Sequence, residues 1–307
     1  MLTKLDEHVS IIDTMALGRP GVVAAYLLSG KDAALVDMGY GSSADIVIND
    51  LEEAGVDADG LDYLLPTHVH LDHCGSCGTL AQKFARASVR THPKGEPHLA
   101  DPSKLLEGAG KIFGAEQMSR YGKPQPIQTS RLHAILDDEE IALGNGVTLR
   151  CIWTPGHASH HVAYLLEETD AVLTGDSVGV TYPDFPVLTP TTPPTSFNLQ
   201  LAIDSLEKLR KLAPSELLTP HFGVRTNGNV IDETVQALKR WEVRIGKMAR
   251  DGLTQDEIAR YLIEDTARRG NPSGDTMPDY LALSIKISTF GFVRYLKNSS
   301  QGMAETS

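Results

Sequence analysis

One stretch constrains this chain more than any other: Thr67-His68-Val69-His70-Leu71-Asp72-His73. It gathers three imidazoles and one carboxylate directly after the short apolar run Leu61 to Leu65, which reads as a strand. A loop leaving a strand can turn all four side chains toward one point, and together they form a dense set of metal ligands. With 11 His among 307 residues, such an H-x-H-x-D-H string arises by chance in about one chain in a thousand. The chain is therefore expected to fold around a metal centre at the end of a strand.

The surroundings read as an α/β protein. Residues 22–39 predict two strands joined at Gly30-Lys31-Asp32, followed by a helix over 43–54 with Ser42 or Ser43 as N-cap. A helix over 75–86 and a strand over 89–92 follow. Residues 101–128 break this rhythm with weak helical spacing, four glycines (Gly108, Gly110, Gly114, Gly122) and the proline-rich KPQPIQ, and read as an insertion. Segments 135–153, 162–166 and 171–174 predict a second sheet. A proline-rich loop spans 181–196, a helix 197–212 and a strand 217–219. Helices are expected over 230–250, 254–268 and 280–297, the middle one opened by a Thr254 to Glu257 capping box. From Asn298 onward the reading is a flexible tail, so that 1–297 forms a single domain.

The motif THVHLDH, followed in order by TPGHASHH, LTGDS and TPHFG, resembles the signature of the metallo-β-lactamase fold superfamily, over roughly Val22 to Gly223. The resemblance implies an αββα sandwich, two packed mixed sheets flanked by helices, here with a helical insertion at 101–128 and extra C-terminal helices. It also implies that His68, His70 and His157 hold one metal, that Asp72, His73 and His221 hold a second, and that Asp176 bridges the two. Imidazole and carboxylate donors suit Zn²⁺, the default, and also Fe, Mn or Co. Such ions lower the pKa of a coordinated water from about 15.7 toward about 7, so a bridging hydroxide is available to attack a carbonyl, and the reaction class is hydrolysis. Asp72 can ligate, orient the attacking oxygen or pass a proton to the leaving group, and the sequence does not separate these roles. His161, four residues after His157, is either a contact behind the ligands or a buried structural residue.

Composition narrows the substrate. A net charge of −12 from 28 Lys+Arg and 40 Asp+Glu disfavours nucleic-acid-processing members, which need phosphate-binding surfaces. His70, where the oxygen-reducing diiron branch has Glu, disfavours that chemistry, and the bridging Asp176 argues against β-lactamase as the main activity. No cationic pocket for glutathione thioesters is evident after His221. The expected walls are apolar and aromatic, with Phe113 and Met118 in the insertion, Tyr182 and Phe185 after Asp176, and Phe222 beside His221. An uncharged ester or lactone fits best, with phosphotriesters as a secondary class. A glyoxalase-II-like thioesterase and a non-catalytic metal-dependent binding module are the alternatives. Tyr182 is either an oxyanion donor or a ring packed under its loop.

Three cysteines suggest no disulfide framework, and no run approaches the roughly 20 apolar residues that cross a bilayer. A cytoplasmic protein with no membrane partner is expected. Cys74-Gly-Ser-Cys77 has redox spacing, but its place directly after His73 favours small packing residues. The apolar positions of the C-terminal helices suit core or a homodimer contact.

Overall fold

A computed structural model describes residues 1–226, 229–270 and 277–304. The chain divides into two compact units. The first comprises Met1–Trp153, His160–Gly175 and Pro214–Thr226; the second comprises Thr154–Ser159, Asp176–Ala213 and the described part of Asn227–Ser307.

The first unit contains both large sheets. Strands β1 (Leu2–Lys4), β2 (Val9–Asp13), β3 (Ala24–Ser29) and β4 (Ala33–Val36) run antiparallel. They continue in parallel with β5 (Tyr63–Leu65), β6 (Ser88–Thr91) and β7 (Leu132–Ala134), in that spatial order. Helices α1 (Ala44–Glu53), α2 (Leu71–Cys74), α3 (Cys77–Lys83), α4 (Glu96–Ala100) and α5 (Ser103–Tyr121) fill the connections. The second sheet uses β8 (Glu140–Gly144), β9 (Val147–Trp153), β10 (Val162–Leu166) and β11 (Ala171–Leu173). After β12 (Val180–Tyr182) and β13 (Phe185–Thr189), which belong to the second unit, it is completed by β14 (Glu216–Thr219) and β15 (Gly223–Arg225). Its order is β15-β14-β11-β10-β9-β8, with only β11 and β14 parallel.

Side-chain alternation sorts the apolar residues between two cores. Tyr26, Leu28 and Val36 face the second sheet and pack with Leu149, Tyr164 and Leu173, whereas Leu27, Leu35 and Leu64 face Val47, Leu51, Leu80 and Leu99 of the covering helices. The fold is thus mixed α/β, two mixed sheets flanked by helices, as the resemblance implies.

The second unit consists of the β12–β13 hairpin and helices α6 (Leu199–Lys211), α7 (Val230–Arg250), α8 (Gln255–Gly270) and α9 (Asp279–Ala304). Arg244 of α7 pairs with Asp265 of α8 at 2.7 Å, and Lys286 of α9 with Asp256 of α8 at 3.1 Å. Among the described residues no helix is long and apolar enough to cross a membrane.

Several local readings differ from the structure. β1 and β2 were not expected, and the loop read over 181–196 contains most of the β12–β13 hairpin, with Pro186 on a strand of a two-stranded ribbon. Such an edge has no second neighbour that needs the missing N–H. The helix read over 75–86 is the shorter α3, preceded by the separate turn α2, and the side chain of Ser43, the N-cap of α1, makes no capping hydrogen bond. The weak helical spacing of the insertion is α5, interrupted at Gly114 (φ 76°, ψ 165°), a backbone state that disfavours any side chain. α9 runs on to Ala304, and residues 305–307 of the expected tail lie outside the described residues.

Candidate metal centre

The site begins at the C-terminal edge of two parallel strands. Val36 and Leu65 are register partners on β4 and β5, so Asp37 and Thr67 leave the sheet side by side. Asp37 is buried with φ 53° and accepts from the Thr67 amide at 2.8 Å and the Thr67 hydroxyl at 3.0 Å. Thr67 in turn anchors β10, its carbonyl accepting from the Val162 amide at 2.8 Å. Behind it the Tyr164 hydroxyl donates to the Pro66 carbonyl at 3.2 Å. Burial raises the Tyr164 pKa well above its ordinary value, so it stays a donor.

This frame aims the motif's imidazoles. His68 is fully buried, with Nδ1 3.0 Å from the Thr67 hydroxyl and Nε2 2.8 Å from His70 Nδ1. His73, on the single turn of α2, places Nδ1 2.9 Å from Asp37 Oδ2. The His68 and His73 ring centroids are 4.1 Å apart. His221 follows β14, where the Tyr26 hydroxyl donates to the Thr219 carbonyl at 2.8 Å and the Ala24 amide to the Pro220 carbonyl at 2.8 Å. Its Nδ1 lies 3.1 Å from the Val22 carbonyl. Asp72 Oδ2 stands 3.5 Å from His221 Nε2 and 3.7 Å from His73 Nε2. Donor atoms of Asp72, His73 and His221 all lie within 4.8 Å of one another, a group able to hold a metal ion.

Within the second unit, His157 Nε2 lies 3.5 Å from Asp176 Oδ2, and both residues are buried. His157 Nδ1 is 3.1 Å from the Thr191 carbonyl, and the Thr191 hydroxyl donates to the Asp176 carbonyl at 2.9 Å.

The donor set fits a metal by its tautomers. A carboxylate or carbonyl oxygen only accepts, so Asp37, Val22 and Thr191 require the proton of His73, His221 and His157 on Nδ1. The Thr67 hydroxyl spends its proton on Asp37 and therefore accepts from His68 Nδ1. In all four rings the lone pair is thereby left on Nε2, the form in which an imidazole ligates a cation, with a partner behind it that fixes the ring.

Sequence reasoning missed Asp37. Its only local signal is a carboxylate ending the apolar strand AALV, and its partners lie 30 and 36 residues away. His161 is buried with its ring centroid 4.9 Å from that of His68. His160, expected to be exposed, is half-buried, and its ring lies 6.2 Å from His70 and 6.3 Å from His98, which the sequence left without ligand-like neighbours.

The expected wall residues are placed as follows. Phe113 and Met118 are half-buried against a small cluster of Leu71, Ala109 and Tyr121, next to the motif. Tyr121 stacks on Tyr40 at 4.3 Å, and Phe113 meets Tyr121 edge-on at 5.1 Å. Phe222 is half-buried on the core between the sheets. In the second unit Tyr182 and Phe185 are register partners and both buried; Tyr182 meets Tyr280 edge-on at 4.7 Å, and the Phe185 ring packs on Gly270. Cys74 and Cys77 are buried among Leu80, Ala81 and Phe84. Burial raises both thiol pKa values, that of Cys77 to about 12, so neither supplies the thiolate that redox chemistry needs.

The sequence profile of the Metallo-beta-lactamase superfamily matches residues 18–221, from just before β3 to the last proposed ligand. The chain belongs to this superfamily. It is 30% identical over 254 residues, 81% of this chain and 90% of the relative, to the metallo-beta-lactamase fold-containing protein ST1585 of Sulfurisphaera tokodaii. The crystal structure of ST1585 superposes with a TM-score of 0.69 at 23% identity, covering 95% of this chain and 99% of that one. A shorter match, 34% over 115 residues, covers 38% of this chain and 27% of an atrochrysone carboxyl ACP thioesterase of Aspergillus fumigatus.

Proposed function

We propose that this superfamily member is a hydrolase that works with two divalent ions, zinc by default. His68, His70 and His157 would hold one ion, Asp72, His73 and His221 the other, and Asp176 would serve both. The observation that carries this reading is the set of four imidazoles whose Nδ1 atoms are tied to oxygen acceptors, which puts on each Nε2 the acceptor lone pair that a cation requires. When bound, two such ions supply Lewis acidity toward a substrate oxygen and lower the pKa of water at the centre.

The protein's own groups do the rest. Asp72 is more open than its neighbours, its side chain 24% exposed where His73 is fully buried, and its carboxylate passes a proton to the leaving group. Tyr182 supplies a hydrogen bond to the developing oxyanion. Phe113 and Met118 of α5, half-buried beside the motif, form apolar walls that favour an uncharged ester or lactone, whereas Phe185, whose ring packs on Gly270, and Phe222, on the core between the sheets, are packing residues. The broken helix α5 acts as a lid that selects the acyl group.

A thioester substrate is the second reading, favoured by the thioesterase names of two partial relatives. Hydrolysis of a lactone, an aryl ester, a thioester, a phosphotriester and a phosphodiester by metal-loaded protein separates the two. The proposal expects the lactone or aryl ester to lead in kcat/KM and the phosphodiester to be inert. A leading thioester moves the assignment to the second reading, and no turnover of any member leaves a metal-dependent binding module. On the lead substrate, Tyr182→Phe should lower kcat by the worth of one hydrogen bond, about 1–3 kcal/mol.

A further inference from the structure

His157 and Asp176 sit on different segments of the second unit, yet one short stretch of chain touches both. The Thr191 carbonyl accepts from His157 Nδ1 at 3.1 Å while the Thr191 hydroxyl donates to the Asp176 carbonyl at 2.9 Å. A single residue of the region read as a proline-rich loop thus aims the ring of one and seats the backbone of the other.

That stretch is itself held from the C-terminal helix. The Thr192 amide donates to the Ser288 hydroxyl at 3.2 Å, and the Thr192 hydroxyl donates to the Ser288 carbonyl at 2.6 Å; both residues are buried. Three residues on, one turn along the same face of α9, Gly291 meets the chain with no side chain between. A Cβ there would overlap the Thr192 carbonyl and stand 2.6 Å from the Pro193 carbonyl carbon. Phe292, next in sequence, is fully buried and meets Phe197 at 5.1 Å and Trp241 at 6.3 Å, so α9 is fixed against α7 and cannot simply recede.

We propose that Ser288 and Gly291 of α9 are positioning residues for the metal centre, acting through Thr191 and Thr192 on His157 and Asp176. The C-terminal helix then has a role beyond core packing. It fixes the carbonyl that selects the His157 tautomer, and with it the affinity for the metal that His157 holds. Partners of this kind behind a metal-bound imidazole typically carry about 10- to 100-fold in metal affinity. The proposal rests on the assignment of His157 as a ligand.

The test compares wild type, His157→Ala, Ser288→Ala, Thr191→Val and Gly291→Ala in the full chain. Zinc affinity is read by competition with a chromophoric chelator. The His157 ring is read by side-chain ¹⁵N resonances of the metal-free protein, and folding by its Tm. In wild type the metal-free His157 should be the Nδ1–H tautomer. Gly291→Ala should mix the tautomers and weaken one zinc equivalent by about 10- to 100-fold, and Ser288→Ala and Thr191→Val should weaken the same equivalent by less. Loss of that equivalent in His157→Ala, with unchanged zinc affinity and tautomer in all three supporting variants, overturns the positioning role alone. A wild type that binds no zinc, or a His157→Ala protein that binds it as well as wild type, overturns the ligand assignment and the proposal with it. Should Gly291→Ala fail to fold, Ser288→Ala and Thr191→Val decide: a lowered Tm with unchanged zinc affinity and tautomer makes α9 merely structural.

Discussion

Asp37→Asn isolates the contribution of the carboxylate behind His73. Asparagine has nearly the same shape and tolerates the left-handed φ of 53°, so the substitution changes bonding without straining the backbone. The carboxylate accepts from the Thr67 amide at 2.8 Å and from His73 Nδ1 at 2.9 Å through its two oxygens. An amide has one oxygen and one NH₂, so one of these partners must now face a donor. If it is His73, the ring proton is driven to Nε2, the atom that has to be bare to bind a metal. If it is Thr67, the buried amide at the head of the motif loses its acceptor. Either way one charge-assisted hydrogen bond of about 1.5–3 kcal/mol is lost. At about 1.4 kcal/mol per factor of ten, this is roughly 10- to 100-fold. Zinc titration against a chromophoric chelator should show one equivalent weakened by that factor and kcat/KM reduced in step at limiting zinc. Two equivalents bound as tightly as in wild type would refute the role of Asp37.

Two further predictions concern the proposed lid and the C-terminal helices. Phe113→Ala and Met118→Ala should change KM and the ranking of acyl chains while leaving Tm and metal content nearly unchanged, because both side chains are half-buried, whereas Tyr121→Ala, buried against Tyr40, should lower stability by about 3–5 kcal/mol. A steep fall in Tm for Phe113→Ala with an unaltered ranking would make α5 part of the core. The hydrogen bond from Arg244 holds the Asp265 carboxyl below its usual range. Its contribution is therefore present above the unfolded value of about 3.9 and lost as pH falls through the lower folded value. Asp265→Asn should lower stability by at most about 1 kcal/mol at neutral pH. Urea melts of both proteins should converge as the solution is acidified to pH 3, and a gap that stays constant would contradict the pairing.

The motif 67–73 was legible because its spacing is local, three imidazoles and a carboxylate at the end of one strand. The capping box was legible for the same reason, and the Thr254 amide does donate to Glu257 at 2.8 Å. What the sequence hid depends on contacts across long separations. Asp37 is one acid among 40 Asp+Glu until β4 and β5 are placed in parallel register beside each other. The carbonyls of Val22 and Thr191 have no sequence signature at all, since every residue carries one, and their roles exist only where the backbone brings them to His221 and His157. The β12–β13 hairpin was obscured by its prolines, which mark loops in general and are compatible with a strand only in a ribbon without further neighbours. His160 was discounted as exposed and His98 because it has no ligand-like neighbours in sequence, although their rings approach one another in the first unit.

Two metals that share Asp176 must be visible in the metal stoichiometry of the protein. Protein prepared without chelator should contain two transition-metal ions per chain by elemental analysis, because seven donors divided over two sites hold both and leave each open to substrate. Asp176→Ala, which removes a donor from both sites at once, should lower the retained metal below one per chain. A reproducible content of one or none in the wild type, or two ions retained without Asp176, would contradict the account.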